Sequence, residues 1–244
     1  MDIFADAPNS WIDLQNKVAY ILQCSGFRVD TPKKIATVRS SVEFDVFAQN
    51  KDISVACECK YWKRKVPQNV VQAFRVQLDD VGINKGYIIS MHGFQRGSYE
   101  NADSTIIELR TWNDFMYEYR DLYLREQIGG LLKIKRPIFR VAYDKSEYWA
   151  IYDKLTPENK RIIGILRNRL LQLFLIFAPL CDAIEYEYTG DLGWNVDYID
   201  SVISYAARTT ETVFMCYRDF FEWINGQITM IVRQIENIYG IQII

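Results

Sequence analysis

The chain has 244 residues, 49% hydrophobic and 25% charged, with a net charge of −2. That is ordinary globular composition, enough for one large domain or two small ones, with no global basic charge to signal nucleic-acid binding. Five cysteines, none spaced CxxC, argue against a disulfide framework, and the acidic opening MDIFADAPNSW has no apolar core that would make it a secretory signal.

The expectation is a cytoplasmic protein with reduced thiols. No membrane partner is expected, because the longest uncharged apolar run, Leu170 to Cys181, falls short of the ~20 residues a bilayer span needs. Charge is uneven along the chain. Residues 1–140 hold 20 basic against 17 acidic side chains, and residues 141–244 hold 9 against 14.

Asn9 or Ser10 caps a helix running to about Cys24, with Trp11, Leu14, Val18, Ile21 and Leu22 at core spacing and Gly26 at its end. A short strand follows in FRVDT. VEFDVFA (Val42 to Ala48) and ISVACECKYW (Ile53 to Trp62) read as two strands joined by the tight turn QNKD. Pro67 opens a crossover helix that Gly82 closes. GYIIS is a buried strand, then come a glycine-punctuated loop with a short helix, the strand TIIEL, and a helix from Trp112 to Gln127 stopped by Gly129 and Gly130. This order predicts an α/β domain with a mixed sheet flanked by helices over residues 1–128. A linker at 129–150 leads to a long-helix C-terminal domain at 151–244.

The second hairpin strand ends on VACECKYW, which alternates apolar and charged. Strand parity places Glu58 and Lys60 on one face and Cys57 and Cys59 on the other. Folding the hairpin over its turn pairs positions summing to about 101, so Glu58 falls opposite Glu43 and near Asp45. Three carboxylates beside one ammonium make a poor core and a good hard-cation site, and Mg²⁺ accepts one or two carboxylates while keeping its waters. The competing reading of Glu58 and Lys60 is a surface ion pair at a sheet edge. Lys63, Arg64 and Lys65 follow at once and are placed to hold a phosphate backbone. Tyr61 and Trp62 either stack on a base or belong to the core. Cys57 and Cys59 read as small apolar strand residues, and His92 as incidental.

VEFDVFA…ACECKYW resembles the Asp…Glu-x-Lys signature of the PD-(D/E)XK nuclease superfamily, and more narrowly its Mrr-like restriction-endonuclease branch. The resemblance runs from Trp11 to Trp112. It takes in WIDLQNKVAYILQCSGFRV, with Gln15 where the family carries Glu or Gln, and GYIISMHGFQRGSYENADSTIIELRTW. It implies a restriction-endonuclease-like fold in which Asp45 and Glu58 ligate the metal with the backbone carbonyl of Cys59. Lys60 is then the catalytic lysine and Gln15 a supporting residue. Phe44 stands where the family has Pro or Gly, and Glu43 is an additional carboxylate. The implied activity is Mg²⁺-dependent cleavage of DNA phosphodiesters, in defence against foreign DNA. The rival readings are an inactive nucleic-acid-binding scaffold and a structure-specific resolvase.

In the C-terminal region Thr156-Pro157-Glu158 starts a helix that becomes apolar all round at LFLIFAPL. After TGDLGWN an apolar seam runs Ile199, Ile203, Ala206, Thr210, Val213, Tyr217, Phe220, Ile224, Ile228, Ile231, Ile235, Ile238 at heptad spacing with one stutter. Read as one helix it reaches ~60 Å at 1.5 Å per residue. The expectation is a homo-oligomer or a regulatory protein partner bound through residues 151–244, with an internal helical hairpin as the alternative.

Overall fold

The computed structural model describes residues 1–37, 41–143, 148–185 and 194–244. They form two compact units, Asp2–Glu126 and Gln127–Ile244 with Met1.

The first unit opens with α1 (Trp11–Cys24), whose start is fixed by Ser10 Oγ accepting from the Asp13 N–H. Leu14, Val18, Ile21 and Leu22 are fully buried as the spacing requires, but Trp11 is 58% exposed: it lies in the first turn, ahead of the buried stripe. Five strands then make a mixed sheet in the order β1-β4-β5-β6-β7. These are β1 (Arg28–Asp30), β4 (Val46–Gln49), β5 (Ser54–Lys60), β6 (Lys85–Ser90) and β7 (Ile107–Thr111). The pairs β1–β4 and β4–β5 are antiparallel, whereas β5–β6 and β6–β7 are parallel. The turn between β4 and β5 is held by Asn50, whose Oδ1 accepts from the N–H groups of Asp52 and Ile53.

Two features correct the sequence reading here. VEFDVFA is not one strand. It breaks at Asp45 into β3 (Ser41–Phe44) and β4, and β3 pairs with β2 (Lys33–Ala36) in a separate two-stranded ribbon. The hairpin register pairs Val46 with Cys57 and Gln49 with Ser54, two positions away from the expected pairing. Glu43 therefore stands opposite Lys34 in the ribbon and is exposed; it does not face Glu58.

The parallel pair β5–β6 is bridged by α2 (Gln68–Val81), which begins after Pro67 and closes on Gly82 at φ +74°. Val71, Phe74 and Leu78 of α2 pack with Phe44, Phe47, Ala56 and Ile88 in one apolar core. The helix lies so close to the sheet that a Cβ on Gly86 would fall 2.3 Å from Leu78 Cδ1. The loop after β6 contains α3 (Arg96–Ala102).

Next comes α4 (Trp112–Ala142), which passes through Gly129 and Gly130 and contains Pro137. Both glycines were expected to end it. Each costs about 1 kcal/mol relative to alanine and Pro137 about 3, but Ile128, Leu131, Ile138 and Val141 are buried along the same helix and outweigh that cost.

Glu118 of α4 ties the helix to the sheet. It accepts from Tyr87 Oη at 2.5 Å and Arg110 Nε at 2.6 Å, with Lys85 Nζ at 3.3 Å. Burial pushes its carboxyl up, yet these hydrogen bonds and the charges of Arg110 and Lys85 prevail, and the net shift is downward. A depressed carboxylate adds stability above its unfolded pKa and loses it as pH falls through the folded value. Glu118→Gln is expected to cost ~1 kcal/mol at neutral pH, a modest figure because the group is partly exposed. Denaturant titrations at pH 7 and pH 3 should show the gap closing in acid. A gap of equal size at both would assign the effect to amide geometry.

The second unit contains the end of α4 and four further helices, α5 (Trp149–Asp153), α6 (Pro157–Glu185), α7 (Val196–Thr210) and α8 (Tyr217–Tyr239). Thr156 Oγ1 accepts from the Asn159 N–H at the start of α6. Leu173, Ile176, Phe177 and Leu180 of α6 are buried, whereas Leu175 is exposed. Among the described residues α6 is the helix long and apolar enough to cross a membrane, with a mean hydropathy of 1.5, as core helices also are. That length of apolar helix exceeds the short uncharged run seen in the sequence.

The apolar seam is not one helix. It breaks between α7 and α8, where Glu211 adopts φ +53° and Val213 is 78% exposed. Glu211 caps α7 with its N–H on the Ala207 carbonyl, and just before it the hydroxyls of Thr209 and Thr210 bond back to the carbonyls of Tyr205 and Ala206, an arrangement that slightly weakens a helix. On either side the seam is buried, from Ile199 to Ala206 and from Tyr217 to Ile235, so the chain itself covers most of the surface expected to need a partner. The turn TGDLGWN lies mostly outside the described residues.

Candidate active site

Breaking the strand at Asp45 is what builds the site. Phe44 points into the core, fully buried and edge-on to Phe74 at 6.1 Å, while Val46 begins the hairpin with β5. Between them, the Asp45 carboxylate accepts from Gln15 Nε2 at 2.8 Å through Oδ1 and from the Cys59 N–H at 2.7 Å through Oδ2. Thr31 Oγ1 donates to the Asp45 carbonyl at 2.9 Å. α1, β5 and the turn after β1 thus fix one aspartate. Thr31 was not singled out in the sequence, because nothing local marks its long-range bond to Asp45.

Glu58 and Lys60 lie one pleat apart on β5, and Lys60 Nζ donates to Glu58 Oε1. Their side chains are 20% and 17% exposed, respectively. Burial, then the charge of Asp45, push the Glu58 carboxyl up; Lys60 pulls the other way without restoring it. The face predicted by strand parity for Asp45, Glu58 and Lys60 is the face observed, with Gln15 added from α1. Burial likewise pushes the Cys57 and Cys59 thiols far up, Cys57 to well outside the physiological range, so both are inert apolar strand residues.

Among the described residues there is no group of three or more His, Cys, Asp and Glu side chains able to hold a metal. The donors that do converge nonetheless fit a hard divalent cation. Two carboxylates, Asp45 and Glu58, share the site with one ammonium, Lys60. The backbone supplies a third donor. Met91 N–H donates to the Lys60 carbonyl, so the Lys60 backbone faces β6 and that of Cys59 faces the other way, toward Asp45. Two carboxylates and a carbonyl are the oxygen donors that a hard cation such as Mg²⁺ accepts.

Beyond the ends of β5 and β6 a cavity of about 280 Å³ is lined by Tyr61, Trp62, Lys63, Met91 and His92. Its walls are stitched together by Val66 N–H to the Gly93 carbonyl and Gln95 N–H to the Val66 carbonyl, both at 3.0 Å. Lys60 and Arg64 lie over the Trp62 ring at 5.4 and 5.5 Å. Lys63, Arg64 and Lys65 are exposed beside it. His92, read as incidental, lines this cavity. Gln72 of α2 donates to Asn101 of α3.

A family model described as a restriction endonuclease, Mrr_cat, matches residues 8–116. None of the curated proteins matches the chain. Among solved structures, AF1548, a protein of unknown function, is similar at 15% identity and TM-score 0.41, over 67% of this chain and 99% of its own. The DNA modification-dependent restriction endonuclease AspBHI is similar at 12% identity and TM-score 0.26, over 53% of this chain and 40% of its own. Structural likenesses this distant carry no weight for function.

Proposed function

We propose, from the match of a restriction-endonuclease family model to residues 8–116, that the chain is a Mg²⁺-dependent endodeoxyribonuclease. The observation that carries the reading is the convergence of Asp45, Glu58 and Lys60 on one sheet face, with Gln15 holding Asp45. Asp45, Glu58 and the Cys59 carbonyl would hold the cation. When bound, it supplies Lewis-acid polarisation of the phosphoryl oxygen and a more acidic water. Gln15 and the Cys59 N–H keep the Asp45 carboxylate oriented. Lys60, freed from Glu58 as that carboxylate is engaged, steadies the attacking oxygen or the charge developing on phosphorus. An inactive scaffold has no use for this set of partly buried charges. A structure-specific resolvase would share the site and differ in substrate shape. Incubation of plasmid, linear duplex and single-stranded DNA with and without Mg²⁺ tests the proposal, and no cleavage of any substrate would sink it.

Lys63, Arg64 and Lys65 are proposed to grip the DNA backbone, with Tyr61 and Trp62 flanking a base. Neutralising all three cations is expected to weaken binding to every sequence alike. It should also flatten the log–log salt slope by roughly 2–3, since each phosphate contact contributes about 0.9. An unchanged slope would make the cluster an ordinary solvated loop.

A cytoplasmic role against foreign DNA is in keeping with the free, buried thiols of Cys57, Cys59 and Cys181. Cutting both strands of a duplex favours paired active sites, as a two-fold dimer supplies. The helical unit, with Leu175, Tyr205 and Met215 exposed, is the proposed surface for that pairing or for a regulatory protein.

A further inference from the structure

The cavity beyond β5 and β6 is a recess that metal-assisted hydrolysis does not use. Tyr61 and Met91 directly follow the last residues of these two parallel strands, so it lies outside their carboxyl ends, where open α/β sheets commonly hold ligands. Tyr61, Lys63 and His92 of its lining are exposed, Trp62 and Met91 are half-buried, and its walls are mainly apolar. The frame is fixed in advance. Met91 N–H donates to the Lys60 carbonyl at 3.3 Å, His92 N–H to Ser90 Oγ at 3.2 Å, and Ser90 Oγ to the Gly93 carbonyl at 3.1 Å. Gly93 makes the turn at φ +74°, a left-handed conformation that suits glycine. Trp62 packs against the core that contains Phe74.

Three of the lining side chains have recognition capacity left over. Tyr61 is 37% exposed and makes no ring contact or hydrogen bond among the described residues. The His92 imidazole has no hydrogen-bond partner among them either; only its backbone N–H is engaged. Lys63 makes no ion pair among them. Trp62 differs, because Lys60 and Arg64 lie over its ring, and it acts as a wall. A free aromatic face, an imidazole that donates and accepts, and an ammonium together match a planar, hydrogen-bonding, anionic ligand. A nucleotide has all three properties. At about 280 Å³ the cavity is at the lower end of small-molecule sites, which begin at roughly 300 Å³, a scale that suits one base and not a duplex. Paired DNA shows only base edges in its grooves, so a base enters such a recess only after leaving the stack.

We propose that this cavity receives a single base displaced from DNA, which makes DNA carrying an unpaired base the preferred substrate. Tyr61 stacks on the base, His92 bonds to its edge, and Lys63 meets a flanking phosphate. Lys60 precedes Tyr61 in the chain and lies over Trp62 at 5.4 Å, so the captured base belongs to a nucleotide beside the phosphate that is cut. The inference rests on the nuclease reading for its substrate, but capture of the base requires neither metal nor cleavage. A base that is already unpaired costs least to extract, and this sets a bulged duplex above a perfect one.

The test is fluorescence-anisotropy titration of the full-length protein in EDTA, at one salt concentration, with three labelled duplexes. One is fully paired, one carries a single-adenine bulge, and one carries the same bulge made abasic. The adenine bulge should bind roughly fivefold or more tightly than either of the others, the least that stacking one base on an aromatic side chain contributes. Tyr61→Ala and His92→Ala, both at exposed positions, should bring the ratio between adenine and abasic bulges toward one. Equal binding of the two bulges by the wild type would overturn the proposal, because the protein would then be reading the bend and not the base. A preference for adenine left unchanged by both variants would overturn it too, as would no binding to any of the three duplexes. Adding Mg²⁺ separates this inference from the nuclease reading. A base preference with no cleavage of any DNA supports the cavity assignment and sinks the nuclease, whereas cleavage with no base preference does the reverse.

Discussion

Asp45→Asn, Glu58→Gln and Lys60→Ala are each expected to reduce DNA cleavage by roughly 10²–10³-fold or more, the scale lost when one group acting on a transition state is removed. Double variants should fall little further, because groups acting as a set are strongly non-additive. The three should differ in stability. Asp45 carries hydrogen bonds from Gln15 and the Cys59 N–H, so Asp45→Ala would strand two donors at about 1–3 kcal/mol each where buried. Asn retains an acceptor and is the cleaner probe. Glu58 is the opposite case. Burial and the charge of Asp45 both work against its ionised form, so the metal-free Glu58→Gln protein should melt no lower than the wild type. Near-normal cutting by any of the three would remove that residue from the site. A sharp drop in the metal-free Tm of Glu58→Gln would refute the electrostatic account of it.

Phe44→Ala is expected to have the largest effect on stability, about 3–5 kcal/mol as for other buried phenylalanines. Phe44 is fully buried against Phe74 and occupies the residue just before Asp45. Losing the ring removes the wedge that drives the backbone into the core on one side of the break, so the Asp45 carboxylate should lose its aim as well. Urea unfolding measures the first consequence. The second is read from cleavage at a temperature where the variant is still folded, where it should fall well beyond the unfolded fraction. Phe44→Leu, which refills most of the space, should recover much of both. If cleavage followed only the folded population, Phe44 would be a packing residue without influence on the site.

The shared face of Glu58 and Lys60 is legible because strand parity is a local property. The two share a side whatever else the chain does, provided the strand forms. Partner choice is not local. Nothing in VEFDVFA says that its first half pairs backward with Lys33–Ala36 and only its second half forward with β5, and so Glu43 was placed beside Glu58 when it lies across from Lys34. Local stop signals also misled where burial overrode them. Gly129 and Gly130 both sit inside α4, because the turns around them bury Ile128 and Leu131. The heptad seam failed in the reverse sense. Spacing carries it smoothly across residues 211–216, while α7 ends on the left-handed Glu211.

The strand break at Asp45 also sets which changes of length the hairpin can absorb. Asp45 precedes β4, which pairs at once with β5, and the four residues 50–53 are the slack between the two strands. An insertion there lengthens a turn and leaves the ladder alone. One extra residue within β4 or β5 moves every later side chain to the opposite face, sending Asp45 and Glu58 to different sides of the sheet, and a second extra residue brings them back. Viable homologues should therefore vary freely in length across the hairpin tip and change by even steps, or not at all, between Asp45 and the tip or between the tip and Glu58.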